Sequence, residues 1–98
     1  MYKAIILPLA KQDVREAALW YNKKSQGLDK RFTAEVREKV RLISQNPTAF
    51  NVRYDDVHTA VLNVFPYMVH YTIDEVNKTV IVSAVLHTSR DPELWENR

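Results

Sequence analysis

The sequence predicts an α+β domain of order β-α-α-β-β-β, with an N-terminal helical hairpin packed on one face of a mainly antiparallel sheet. Three observations predict it. Two stretches with apolar residues every three or four positions are joined by only a few residues at the single glycine, Gly27, and so short a link leaves an antiparallel hairpin. After Pro47 the chain turns β-branched and aromatic, with period-two stretches separated by turn residues, the mark of strands. A short apolar run precedes the helices, and 98 residues without internal repeat or linker-like stretch describe one domain, residues 1–98.

The first element is the run Ala4-Ile5-Ile6-Leu7-Pro8-Leu9-Ala10, read as a strand. Its seven residues include a proline, short of a secretory core and of the ~20 residues of a membrane span. A helix follows from Lys11, with Val14, Ala17, Ala18 and Tyr21 on one face. Gly27 ends it by entering the left-handed region cheaply, and Leu28 folds back on the last turn. Leu28, Phe32, Val36, Val40 and Ile43 set the buried face of the second helix, which Asn46-Pro47 interrupts. Lys30, Arg31, Arg37, Lys39 and Arg41 face outward, interleaved with Glu35 and Glu38.

Strands are placed at residues 57–64, 67–73 and 79–86, with a short extended piece at 51–54 before them. Phe65-Pro66 and residues 74–78 make the connections. Tyr67, Val69, Tyr71 and Ile73, with Val80, Val82, Ala84 and Leu86, form the set assigned to the core. Met68, His70 and Thr72, with Ile81, Ser83 and Val85, form a second face too apolar for water, to be covered or to bind a partner. Near the C-terminus, Asp91 caps a helix start, Pro92 suits its first position, and Leu94 and Trp95 anchor a last turn on the sheet.

Apolar residues make up 46% of the chain and charged ones 27%, which excludes a disordered or membrane-spanning class. There is no cysteine, hence no disulfide or thiolate zinc framework. His58, His70 and His87 are separated by twelve and seventeen residues, which matches no compact ligand motif, so neither a metal nor a cofactor is expected. The sequence contains no catalytic carboxylate pair, nucleophile elbow or Gly-rich phosphate loop. Absence of an export signal and of cysteine points to the cytoplasm, with no membrane partner. The net charge of +2 divides unevenly: residues 1–50 carry ten Lys/Arg against five Asp/Glu, and residues 51–98 carry four against seven, giving +5 and −3. That suits docking of a basic face on an anionic or acidic partner, or a solvated helix surface.

Phe65-Pro66-Tyr67-Met68-Val69-His70-Tyr71, followed by His87-Thr88-Ser89-Arg90-Asp91-Pro92-Glu93-Leu94-Trp95 and a final Arg98, resembles the RelE/ParE superfamily of toxins. Ala18, Tyr21, Leu28, Phe32 and Pro47 extend the resemblance through the helical half. The resemblance implies a small cytoplasmic toxin of a bacterial type II toxin–antitoxin, or plasmid stabilisation, module, with a cognate antitoxin as direct partner. It implies one of two targets. A ParE-like toxin inhibits growth by binding DNA gyrase without being an enzyme; a RelE-like toxin is a metal-independent endoribonuclease that cuts mRNA on the ribosome.

Metal-free RNA cleavage requires several Lys or Arg, with a Tyr or His, converging on one sheet surface to activate the 2′-hydroxyl and stabilise the phosphate charge. Strands and C-terminal segment supply only Arg53, Arg90 and Arg98, besides Lys78 in a turn; His58 stands where many relatives carry Arg, and Asn63-Val64 replaces a commonly basic pair. The reading favoured is therefore ParE-like, with a RelE-like ribonuclease or a degenerate, non-toxic interaction module as alternatives. If the chain is a ribonuclease, its catalytic set is Arg90, Arg53, His58, His87 and Tyr71. The partner-binding set is Arg90, Trp95, Arg98, Lys30, Arg37 and Arg41. Each has a plainer role open to it: His87 closing a strand, Arg90 in a salt bridge, Tyr67 and Tyr71 as core rings, Trp95 as an anchor, the helical cations as solvated charge. An exposed Trp20 would mark a partner surface.

Overall fold

The computed structural model describes residues 1–90. Strand β1 (Lys3–Ile6) is followed by helices α1 (Pro8–Lys24) and α2 (Leu28–Gln45), a 3₁₀ turn (Pro47–Ala49), and strands β2 (Val52–Tyr54), β3 (Val57–Val61), β4 (Tyr67–Asp74) and β5 (Thr79–His87). The sheet order is β1-β5-β4-β3-β2, with β1 parallel to β5 and every other pair antiparallel. The helical hairpin covers one face. The α+β arrangement predicted is present, as a mixed sheet of five strands.

The first apolar run is split, not one strand. β1 stops at Ile6 and α1 begins at Pro8, three residues before the predicted Lys11. Proline loses nothing at the first helical position, where its N–H would be unpaired, and it holds Leu7 extended at φ −68° and ψ 156°. Gly27 sits at φ 89° in the turn between the helices, and its N–H donates to Asn22 Oδ1 at 3.4 Å. A Cβ there would meet nothing within 4 Å, so the backbone angle and not crowding calls for glycine.

β3 ends at Val61, three residues short of the predicted strand. The cause is Glu35 on α2, whose carboxylate accepts the N–H groups of Asn63, Val64 and Phe65 at 3.1 to 3.4 Å. Those donors are satisfied outside the ladder, and the chain turns.

The helix side of the sheet holds the main core. Tyr21, Phe32, Phe65 and Tyr67 interlock with ring centroids 4.8 to 6.0 Å apart, beside Val36, Ile43, Val69, Tyr71, Val80, Val82 and Val85. The core assignment by alternation fails at one place. Tyr71 pairs with Val82 and His70 with Ala84, leaving Ser83 as an extra residue in β5. This bulge inverts the parity of everything after it. Val85 joins the helix-side core, whereas Ala84 and Leu86, assigned there by sequence, form a second cluster with Met68 on the opposite face, packed by Tyr54. Met68, His70, Ala84 and Leu86 are buried within the chain itself, so this part of the second face needs no partner to cover it.

Candidate functional site

β1 pairs only with Thr79 to Val82 of β5, which leaves the C-terminal half of β5 without a strand neighbour on that side. Helix α1 covers the gap: Asp13 Oδ2 accepts the Val85 N–H at 3.0 Å. Beside this contact, α1 and the end of β5 line a cleft of about 480 Å³. Asp13, Glu16 and Trp20 of α1 form one wall, and Tyr67, His87 and Arg90 the other.

His87 and Arg90, both singled out by sequence, are brought together here. His87 packs edge-on against Tyr67, its register partner, at 5.2 Å. Its Nδ1 accepts the Ser89 N–H at 3.0 Å and the Ser89 hydroxyl at 2.7 Å, so a neutral His87 carries its proton on Nε2. Thus His87 does close the strand end, through Ser89. Arg90 donates its backbone N–H to the His87 carbonyl at 3.0 Å, which holds the exposed guanidinium at the cleft mouth. Burial raises the Tyr67 phenol above its ordinary pKa; Arg90 works against that shift and Asp13 adds to it. Trp20 is 53% exposed, with Lys24 Nζ 4.9 Å from its ring centroid.

His58 and Tyr71 lie elsewhere and are engaged. Tyr71 is fully buried and donates its hydroxyl to the Pro47 carbonyl at 2.5 Å; burial pushes its pKa up to about 12. His58 stacks on the Tyr71 ring at 5.1 Å and donates from Nδ1 to the Phe50 carbonyl at 2.6 Å. Because His58 pairs with Tyr71 and His87 with Tyr67, the two histidines are four residues apart along β4, roughly 13 Å. The five residues proposed for catalysis therefore do not share one site: the buried Tyr71 and the half-buried His58 stacked on it are held by backbone carbonyls, two are in the cleft, and Arg53 stands exposed on β2 at the far edge of the sheet.

Lys30, Arg37 and Arg41 are exposed on α2. Arg41 pairs with Glu38 at 2.5 Å, which lowers the pKa of the carboxyl and raises that of the guanidinium; both groups are half exposed, so water screens most of the gain. Trp95 and Arg98 lie outside the described residues. Sequence reasoning missed Asp13 and Glu16. Asp13 carried a legible signal, a carboxylate three residues after Ala10 and four before Ala17 on the apolar stripe of α1. No helix among the described residues is long and apolar enough to cross a membrane.

Three comparisons bear on this fold and site. Residues 4–92 match the family described as ParE toxin of type II toxin-antitoxin system, parDE. No curated protein matches with significance. Among solved structures, the chromosomal ParDE toxin–antitoxin system from P. aeruginosa superposes with a TM-score of 0.78 at 15% identity, covering 89% of this chain and 96% of that one. The intact E. coli RelBE toxin–antitoxin complex gives 0.64 at 17% identity over 92% and 100% of the two chains. A RelBE toxin–antitoxin complex from Mycobacterium tuberculosis gives 0.62 at 18% over 88% and 96%. At such identities the structures establish the fold, and both branches share it. The family match, which covers all the described residues but the first three, establishes more: the chain belongs to the ParE toxins of type II toxin–antitoxin systems.

Proposed function

We propose that this toxin acts in the cytoplasm by binding its target, DNA gyrase, and not by cutting RNA, and that a cognate antitoxin is its direct partner. The observation that carries the reading is the dispersal of the catalytic set. Metal-free RNA cleavage needs a general base, a general acid and cations around one phosphate. Here Tyr71 is buried with its hydroxyl committed to Pro47, His58 is committed to Phe50, and Arg53 is on the opposite edge of the sheet from β1 and β5. His87 and Arg90 remain, in a cleft whose other wall bears two carboxylates. Those carboxylates repel a phosphate backbone but suit a protein surface. The RelBE structures from E. coli and Mycobacterium tuberculosis are toxin–antitoxin complexes, which supports an antitoxin as partner.

The test is controlled expression without the antitoxin, with DNA supercoiling and ribosome-programmed mRNA cleavage measured separately. Relaxed or cleaved DNA with intact mRNA is the expected result, and Arg90→Ala, an exposed position, should weaken it without loss of fold. Cut mRNA with normal supercoiling would replace this reading by the RelE-like one. Unimpaired growth with neither signal would identify a degenerate interaction module.

A further inference from the structure

The positive charge of the chain is concentrated where its two helices meet. Residues 20–31, which comprise the end of α1, the turn at Gly27 and the start of α2, carry four Lys/Arg against one Asp/Glu, or +3, while the whole chain sums to +2. Everything outside this tip is therefore slightly acidic. Lys23, Lys24, Lys30 and Arg31 are all exposed, and among the described residues none of them forms an ion pair, although the chain does pair Arg41 with Glu38 and Lys78 with Glu75. Asn22, Ser25 and Gln26 add exposed polar side chains between them. Trp20 stands at the base of the tip, with Lys24 Nζ 4.9 Å from its ring centroid and the Tyr21 ring edge-on at 5.0 Å. Lys23 lies seven residues beyond Glu16, about 10 Å along the helix, further than the screening length of about 8 Å at physiological salt, so the cleft carboxylates do not cancel the tip.

We propose that this hairpin tip binds duplex DNA through its phosphates, without reading sequence. Charge complementarity selects a polyanion: four exposed cations with no internal carboxylate partner are free to displace its counterions. Residues 22–27 include no apolar side chain, so the tip lacks the apolar centre around which a protein interface forms. Single-stranded nucleic acid calls for a row of rings along a groove; the tip offers one exposed indole, already engaged by Lys24 and Tyr21. That engagement serves a duplex instead, because it holds the Lys24 ammonium in place before a phosphate arrives. The inference rests on the gyrase reading for the source of the duplex, which is the DNA that the target enzyme carries. The basic tip would then face that DNA while the carboxylate-walled cleft faces protein.

The probe is a fluorescein-labelled duplex of mixed sequence, titrated by anisotropy with the whole chain across a salt series. Affinity should fall as salt rises, and the slope of log affinity against log salt should shrink by about 2 for Lys23→Ala with Lys24→Ala, and again for Lys30→Ala with Arg31→Ala, about one counterion per cation removed. Lys11→Ala with Arg15→Ala removes the same charge from exposed positions elsewhere on α1 and should leave the slope unchanged. Thermal melts check that each variant stays folded. An equal loss from the Lys11 and Arg15 pair would reduce the effect to net charge and overturn the proposal; so would tighter binding of a single strand, or of a poly-glutamate chain of equal charge. In a parallel supercoiling assay, the tip variants should inhibit gyrase less well than wild type, and undiminished inhibition would overturn the source assigned to the duplex. If wild type inhibits gyrase but binds no duplex, the tip is wrong and the gyrase reading stands; if it binds duplex through the tip and leaves gyrase untouched, the tip stands and that reading falls.

Discussion

The Tyr71 hydroxyl is held between two effects that act in the same direction. Burial disfavours its charged form, and donation to the Pro47 carbonyl requires the proton, so its pKa rises from 10.0 to about 12. The sign of the pH effect follows. Stability from this group is whole below pH 10, where neither folded nor unfolded chain has ionised; it declines from pH 10 to about 12, where only the unfolded chain releases the proton. Urea midpoints measured along an alkaline series should therefore fall more steeply for wild type than for Tyr71→Phe, which should cost about 1 kcal/mol at neutral pH through the orphaned carbonyl. Equal slopes would show that Tyr71 is not the group responsible. The same residue shows what a sequence reveals about a site. Tyr71 and His58 were legible as chemistry-bearing types, but their engagement depends on carbonyls of Pro47 and Phe50, and Asn46-Pro47 announces a break in the helix without saying where the turn after it lies on the sheet.

Strand β5 shows how one inserted residue governs an element. Alternation in Tyr67-Met68-Val69-His70-Tyr71 reads correctly from the sequence, and so does Val80-Ile81-Val82. Past Ser83 the pattern Ala84-Val85-Leu86 is apolar at every position and gives no clue to the slip. Continuous apolarity is what a strand buried on both faces requires, and it hides a bulge. The helices were legible in type and nearly so in extent, because a polar flank accompanies each apolar stripe; Pro8 was misread because an apolar run before a helix looks the same either way. Deleting Ser83 should remove the bulge and leave Ala84, Val85 and Leu86 opposite His70, Val69 and Met68 on their present faces, so the variant should keep a cooperative melt. Ser83→Ala, which removes only a long 3.4 Å bond to the His70 carbonyl, should cost less than about 1 kcal/mol. Circular-dichroism melts of both variants check this, and loss of the cooperative transition on deletion alone would show that the bulge itself is required.

Across the molecule, Glu35 joins helix layer to sheet. Its carboxylate gathers three consecutive N–H groups of the turn leading into β4, and Phe65 in that turn carries one ring of the aromatic core. Glu35→Ala should destabilise the whole domain by about 2 kcal/mol in urea unfolding, and Glu35→Gln, which keeps one acceptor, by less than half of that. Equal losses would mean that packing, not donation to the carboxylate, matters there. The sheet order has a different consequence, one of timing. β1 is the first strand made, yet its neighbour is β5, made last; Lys3 waits for Thr79. Contacts of such separation close late in folding. On a ribosome adding about 5–20 residues per second, this chain spends most of its several seconds of synthesis without its native sheet. The sheet thus cannot close around β1 until β5 has been made, and the chain carries an unpaired first strand until then.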